Sequence, residues 1–287
     1  MENRIFKLFC KDKECFCIFV PKVIMMKKLI SLFTKLFPRQ FLIRCSYLFS
    51  FLIRPFYWGN KVECPICGKH FRKFLPYGYG QAMDNRLCPN CLSLERHRLL
   101  WLYLKEKTDF FSAPLKVLHF APEQPFLKRF RALKNLDYTT ADLDSPIADL
   151  HLDVTAIDQP SDTYDVVICN HVLEHVSDAN LAFKEIQRIL KPGGWAILLV
   201  PINPDVDTFE DPSVTDPKER ERLFGQYDHV RQFGRDYAEV LRKAGFEVVE
   251  DRLYYELTEE QRQRMRLARR GEETVYRVVN SKISFIC

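Results

Sequence analysis

The stretch from Tyr164 to Pro201, YDVVICNHVLEHVSDANLAFKEIQRILKPGGWAILLVP, limits the fold of this chain more than any other. It reads as strand, polar loop, helix, tight turn and strand. Tyr164 to Cys169 is a nearly unbroken apolar run, the mark of a parallel strand covered on both faces. Asn170 to His175 then places polar groups where that strand stops. Ser177 or Asp178 can cap a helix whose Leu181, Ile186, Ile189 and Leu190 share one stripe, with Lys184, Glu185 and Arg188 toward water. Pro192, Gly193 and Gly194 end that helix, and Trp195 to Val200 supplies the next buried strand. In open α/β sheets ligands sit beyond the carboxyl ends of the strands, so Asn170 to His175 is expected to line a site.

The alternation extends in both directions. Leu115 to Phe120 reads as a first strand, Phe126 to Leu133 as a helix, Tyr138 to Ala141 as a second strand and Asp149 to Asp153 as a third. Beyond a charged loop after Pro201, helices are expected near Lys218 to Phe224 and Arg235 to Ala244. Gly245 stops the second of these before a strand from Phe246 to Asp251. Glu259 to Arg270 reads as a helix and Thr274 to Asn280 as a last strand. A length of 287 residues with 47% hydrophobic content allows one large domain plus a smaller one. The chain divides into a basic amphipathic segment over residues 1–58, a cysteine module with a linking helix over 59–107, and an α/β domain over 108–287.

Charge follows the same division. Residues 1–60 carry eleven Lys and Arg against three Asp and Glu, whereas from Thr108 onward the count is 23 against 31. The basic leader suits an anionic partner, either lipid head groups or nucleic acid. Its longest uncharged run, Cys45 to Ile53, falls well short of the roughly 20 apolar residues that span a bilayer. Leu29, Leu32, Phe33 and Leu36 instead share one helical face, so residues 26–58 are expected to make a peripheral membrane contact or to pack on the α/β domain. Met25 and Met26 offer an alternative start that would leave residues 1–24 outside the protein. No secretory leader pattern opens the chain, and the spread of its ten cysteines favours reduced thiols. The expected location is the cytoplasm, including the inner face of the membrane.

Four of those cysteines form two CxxC pairs, Cys64-Pro-Ile-Cys67 and Cys88-Pro-Asn-Cys91, twenty residues apart. Two such knuckles complete a closed tetrahedral site, and structural Zn2+ is the expected occupant. The alternative, a redox dithiol, needs one CxxC opening a helix in a thioredoxin-like unit. His70 follows the first knuckle too closely to be preferred as a ligand. The loop between the pairs, with Tyr77, Gly78, Tyr79 and Gly80 at its tip, either covers a ligand or packs on the neighbouring domain. Glu95, Arg96, His97 and Arg98 on the next helix read as a polar seam between domains.

His171-Val-Leu-Glu-His-Val176 and Arg188-Ile-Leu-Lys-Pro-Gly-Gly194 together resemble class I S-adenosylmethionine-dependent methyltransferases, especially the small-molecule enzymes of the type 11 kind. The likeness covers about Leu115 to Asn280. It implies a doubly wound, mostly parallel seven-stranded α/β sheet whose last strand is antiparallel, preceded here by the four-cysteine zinc module. It also implies a cofactor held across the first strand ends. His119 lies at the end of the first strand, and Ala121 and Glu123 stand in the turn after it, where the family has alternating glycines and this chain has Ala121, Glu123 and Pro125. Asp142, with Asp144 behind it, takes the place of the acid that accepts the ribose hydroxyls. Asp153 and Val154 match the adenine contact, and Asn170 lies near the sulfonium.

Methyl transfer from a sulfonium needs alignment and exclusion of water, and a hydroxyl acceptor also needs a base. His171, His175 and His229 are the candidate bases, with Glu174 orienting His171 or capping the helix; each histidine also has a purely structural alternative. The expected acceptor is a small molecule or a lipid-linked one. Ribosomal RNA is the runner-up, since some guanine methyltransferases place a zinc module ahead of this fold. Against it, Asn170-His171-Val172-Leu173 stands where base-amine enzymes carry Asn/Asp-Pro-Pro-Tyr. A third reading, a binding protein that has lost its cofactor, rests on the replaced glycines.

Overall fold

The computed structural model describes Leu48, residues 50–78 and residues 83–281. The amphipathic stripe expected at Leu29 to Leu36, and the loop tip at Tyr79 and Gly80, lie outside the described residues. Two antiparallel hairpins come first: β1 (Trp58–Cys64) with β2 (Lys69–Phe71), and β3 (Leu75–Tyr77) with β4 (Met83–Leu87). Isolated hairpins of this size are marginal in water. Helix α1 (Glu95–Glu106) follows; the sequence suggests a helix from Leu92 to Lys107, but Leu92 takes a left-handed turn with φ 58° and the helix begins after it. Its Leu99, Leu100, Tyr103 and Leu104 are at most 1% exposed. Burial of each such leucine contributes about 1.5–3 kcal/mol.

The rest alternates strand and helix: β5 (Leu115–Phe120), α2 (Gln124–Arg131), β6 (Leu136–Asp142), β7 (Leu150–His151), β8 (Tyr164–Asn170), α3 (Ala179–Ile189) and β9 (Leu190–Leu199). Then come β10 (Ile202–Asn203), β11 (Phe209–Glu210), α4 (Pro217–Phe224), β12 (Arg231–Gly234), α5 (Tyr237–Lys243) and β13 (Glu247–Asp251). Short α6 (Leu253–Glu256) and α7 (Glu259–Met265) precede β14 (Val275–Val279). Seven strands make the main sheet in the order β13-β14-β9-β8-β5-β6-β7, and β14 runs antiparallel to both neighbours. This is the expected doubly wound sheet with its reversed last strand. Strand order reverses between β5 and β8, which opens a crevice at their carboxyl ends.

Side chains alternate across the sheet and feed two cores. Leu118, Phe120, Val167, Cys169, Ala196 and Leu198 pack with α3 and α5 on one face. Val117, Val166, Ile168 and Ile197 pack on the other with α1, α2 and the cysteine module, through Phe71, Phe74, Cys64 and Cys88. No helix among the described residues is long and apolar enough to cross a membrane.

Local details depart from the sequence reading. Asp178 caps α3 by accepting from the backbone of Asn180 and Leu181, but Leu181 itself is exposed, and Ala182, Phe183 and Ile186 form the buried stripe instead. The Pro-Gly-Gly segment does not separate helix from strand; it is absorbed into β9 as an irregularity in its pairing with β8. Gly193 takes φ 75°, and a Cβ on Gly194 would sit 2.9–3.1 Å from three backbone oxygens, so the two glycines permit that close passage. Helix α7 ends at Met265 rather than Arg270 because Arg266 turns left-handed.

Candidate active site

The carboxyl ends of β5, β6, β7 and β8 gather the sequence-predicted cofactor residues. Ala121 leaves β5 in a left-handed conformation, φ 47°, and its N–H donates to the Ala141 carbonyl at 2.8 Å. The turn therefore keeps a glycine-like backbone without glycine. Asp142 ends β6, where its Oδ1 accepts from the N–H groups of Asp144 at 3.0 Å and Ser145 at 2.8 Å. Asp153 follows β7 and is exposed, its Oδ1 held by the Thr155 N–H and hydroxyl, while Val154 is buried. Asn170 ends β8 almost completely buried; its Nδ2 donates to Glu123 Oε2 at 3.0 Å.

Glu123 organises this end of the crevice. His97 Nδ1 accepts from the Leu94 N–H at 3.0 Å, which places the ring proton on Nε2, and Nε2 donates to Glu123 Oε1 at 2.8 Å. Burial alone would raise the Glu123 carboxyl, but His97, Arg96 and His119 hold it well below the ordinary carboxylate range. Arg96 Nε stands 3.9 Å from Glu123 Oε1. That Nε and Asn170 Oδ1 are buried without hydrogen-bond partners among the described residues. Such atoms are costly unless a ligand completes them. An orphan donor, an orphan acceptor and a carboxylate suit the zwitterionic end of an amino-acid ligand, and Asp142 suits a diol. The residues fit S-adenosylmethionine.

His119 lies beneath the crevice, fully buried between Phe126, Phe130 and Tyr138, with Nδ1 2.7 Å from the Tyr138 hydroxyl. Burial pushes it down from 6.5 to about 4. Its neutral form is favoured by folding, so its contribution is complete above pH 6.5 and drains away as pH falls toward 4. Urea unfolding at about pH 7 and about pH 5 is expected to differ by roughly 2 kcal/mol more for the native chain than for His119→Asn. Equal pH dependence in the two proteins would contradict this.

The three candidate bases line one cavity of about 640 Å³ beyond β8 and β9. His171 follows β8 with φ 54°, and its Nδ1 lies 3.2 Å from Glu174 Oε1, so Glu174 orients it as the sequence suggested. The His175 and His229 rings meet edge to face with centroids 4.8 Å apart. His229 is buried, and burial lowers its pKa, which keeps it neutral near pH 7. Arg231 is anchored: its guanidinium donates to the carbonyls of Leu173, Val176 and Ser177 and pairs with Glu210. It fixes the loop that carries Glu174 and His175. Cys169, beside Asn170, is no nucleophile, since burial pushes its thiol well up.

Tyr77 and Gly78 from the cysteine module also line the cavity, so part of that loop does cover the site. Among the residues anticipated as a seam, Glu95 pairs with Arg86 of the cysteine module, and buried Arg98 donates to the carbonyls of Ser93, Arg86, Met265 and Arg266. The sulfurs of Cys64, Cys67, Cys88 and Cys91 lie within 4.8 Å of one another, with Cys64 and Cys91 at 3.5 Å. Two contributions escaped sequence reasoning. Arg269 reaches the cavity because α7 stops early, and His97 pairs with Glu123 across 26 positions, for which no local pattern exists.

A family profile described as a methyltransferase domain matches residues 103–251, more than half of the chain. A search of curated proteins gives no match. Among solved structures, an S-adenosylmethionine-dependent methyltransferase from Mesorhizobium loti is 16% identical, with 63% of this chain and 96% of that one covered and a TM-score of 0.41. A 1,6-didemethyltoxoflavin-N1-methyltransferase from Burkholderia thailandensis, bound to 1,6-didemethyltoxoflavin and S-adenosylhomocysteine, is 15% identical, with 64% and 76% covered and a TM-score of 0.39. At these scores neither likeness bears on substrate. The profile match joins the sheet order and the polar strand ends in one conclusion: the chain belongs to the methyltransferase-domain family and is an S-adenosylmethionine-dependent methyltransferase.

Proposed function

We propose that this enzyme methylates a small organic or lipid-linked acceptor, and that Cys64, Cys67, Cys88 and Cys91 hold a structural Zn2+. The cavity carries the reading. Its volume of about 640 Å³ suits a small molecule or a lipid head group, and His171 on its wall directly follows Asn170. Bound across the strand ends, S-adenosylmethionine supplies a methyl group on a positively charged sulfur whose departure needs no proton. Asp142 would accept the ribose hydroxyls, and Asp153 with Val154 would meet the adenine. Glu123 and Asn170 would accept from the ammonium, and Arg96 would donate to the carboxylate. His171, His175 or His229 takes the acceptor proton, and Glu174 holds the His171 ring in place. The four thiols offer no open position to chemistry once an ion is bound, so their role is to order the hairpins that bring Tyr77 over the cavity.

Incubating the full chain with methyl-labelled cofactor and fractionated cell extract is expected to place label in the small-molecule or lipid fraction. Label recovered mainly in RNA would overturn the acceptor assignment.

A further inference from the structure

Glu174 is a carboxylate buried beyond what orienting one histidine requires. Its side chain is 2% exposed; Oε1 faces His171, while Oε2 is buried without a hydrogen-bond partner among the described residues. An ionised carboxylate removed from water is strongly disfavoured unless a cation answers it. Two imidazoles converge on the same spot. One carboxylate oxygen of Glu174 and one nitrogen each of His175 and His229 lie within 4.8 Å of one another. Each ring is held from behind: His229 Nδ1 donates to the Phe224 carbonyl at 3.0 Å, and His175 Nδ1 stands 3.4 Å from Asp228 Oδ2. Both contacts put the ring proton on Nδ1 and leave Nε2 as a lone pair. Proteins commonly prepare histidines for a metal in this way.

We propose that Glu174, His175 and His229 bind a divalent transition-metal ion on the wall of the acceptor cavity, which selects acceptors that reach the ion through oxygen. The role given to the ion rests on the cavity being the acceptor site. Two nitrogens and one carboxylate suit Zn2+, Co2+, Mn2+ or Fe2+ better than Ca2+ or Mg2+, which prefer all-oxygen surroundings. Bonds near 2.0–2.2 Å set ligand atoms about 3–4 Å apart, so small side-chain rotations close the present spacing. Three protein ligands leave coordination positions free, unlike the closed four-cysteine set, and all three line the cavity. An acceptor hydroxyl bound there would lose its proton more readily than a free one, and His171 remains to receive it.

Titration of the reduced full-length chain with Co2+, followed by equilibrium dialysis and visible absorption, tests the proposal. A thiolate site gives charge-transfer absorption and a nitrogen–oxygen site does not. The native chain is expected to hold two equivalents and Glu174→Gln and His229→Asn one each, with the charge-transfer band and S-adenosylhomocysteine affinity unchanged. Asp228→Asn, at a half-exposed position, is expected to weaken the second equivalent roughly tenfold. The same count in the native chain and the variants, or an Asp228→Asn chain that binds Co2+ as tightly as the native one, overturns the proposal. Failure of S-adenosylhomocysteine binding with the second Co2+ retained would instead strike at the cofactor reading and leave the ion site standing.

Discussion

Replacing Cys64 with serine is expected to unfold the chain from the cysteine module outward and to lower its melting temperature by more than about 10 °C. The structural zinc proposed for this module would contribute on the order of 10 kcal/mol, comparable with the roughly 5–15 kcal/mol that holds a whole domain together. The loss would not stay local. Cys64 and Cys88 belong to the same apolar cluster as Leu99, Tyr103 and Ile197, so the module packs through α1 onto the main sheet. Arg98 adds a second tie, donating to Ser93 beside the cysteines and to Arg266 at the end of α7. Thermal melting together with a count of bound zinc checks this. An unchanged melting curve in a variant that has lost its metal would contradict it.

Glu123→Gly, which writes a family glycine back into the first turn, is expected to weaken the enzyme rather than improve it. The backbone already adopts its left-handed turn at Ala121, so a glycine at position 123 gains little. Removing the carboxylate leaves the Nε2–H of His97 and the Nδ2 of Asn170 without their acceptor in a buried place. Each such orphan costs about 1–3 kcal/mol. A loss of several kcal/mol of stability and at least about tenfold in S-adenosylhomocysteine affinity is the expected result, read by chemical unfolding and by titration calorimetry. Gains in either quantity would show that the turn had been misread.

The frame of this molecule was legible because it is written in local periodicity. The apolar runs at Leu115 and Tyr164, the capped helix after Asp178 and the two CxxC knuckles all signal within windows of a few residues. Asp142 and Asn170 do stand at strand ends, where such sheets hold ligands. The failures share another cause. Leu181 has helical spacing yet faces solvent because neither α5 nor the sheet covers that side of α3. The Pro-Gly-Gly segment joined β9 through contacts with Asn280, 86 or more positions away. The meeting of His97, Glu123 and Asn170 likewise depends on packing between distant elements.

The crevice above β5, β6 and β8 is expected to bind an adenosyl ligand despite its missing glycines. Calorimetric titration of the full-length chain and of Asp142→Ala with S-adenosylhomocysteine measures this. Binding of one equivalent to the native chain is expected, weakened about 10- to 100-fold in the variant, since a hydrogen bond to a charged group contributes about 1.5–3 kcal/mol. A folded native chain that takes up no ligand, or a variant that binds it equally well, would contradict the account.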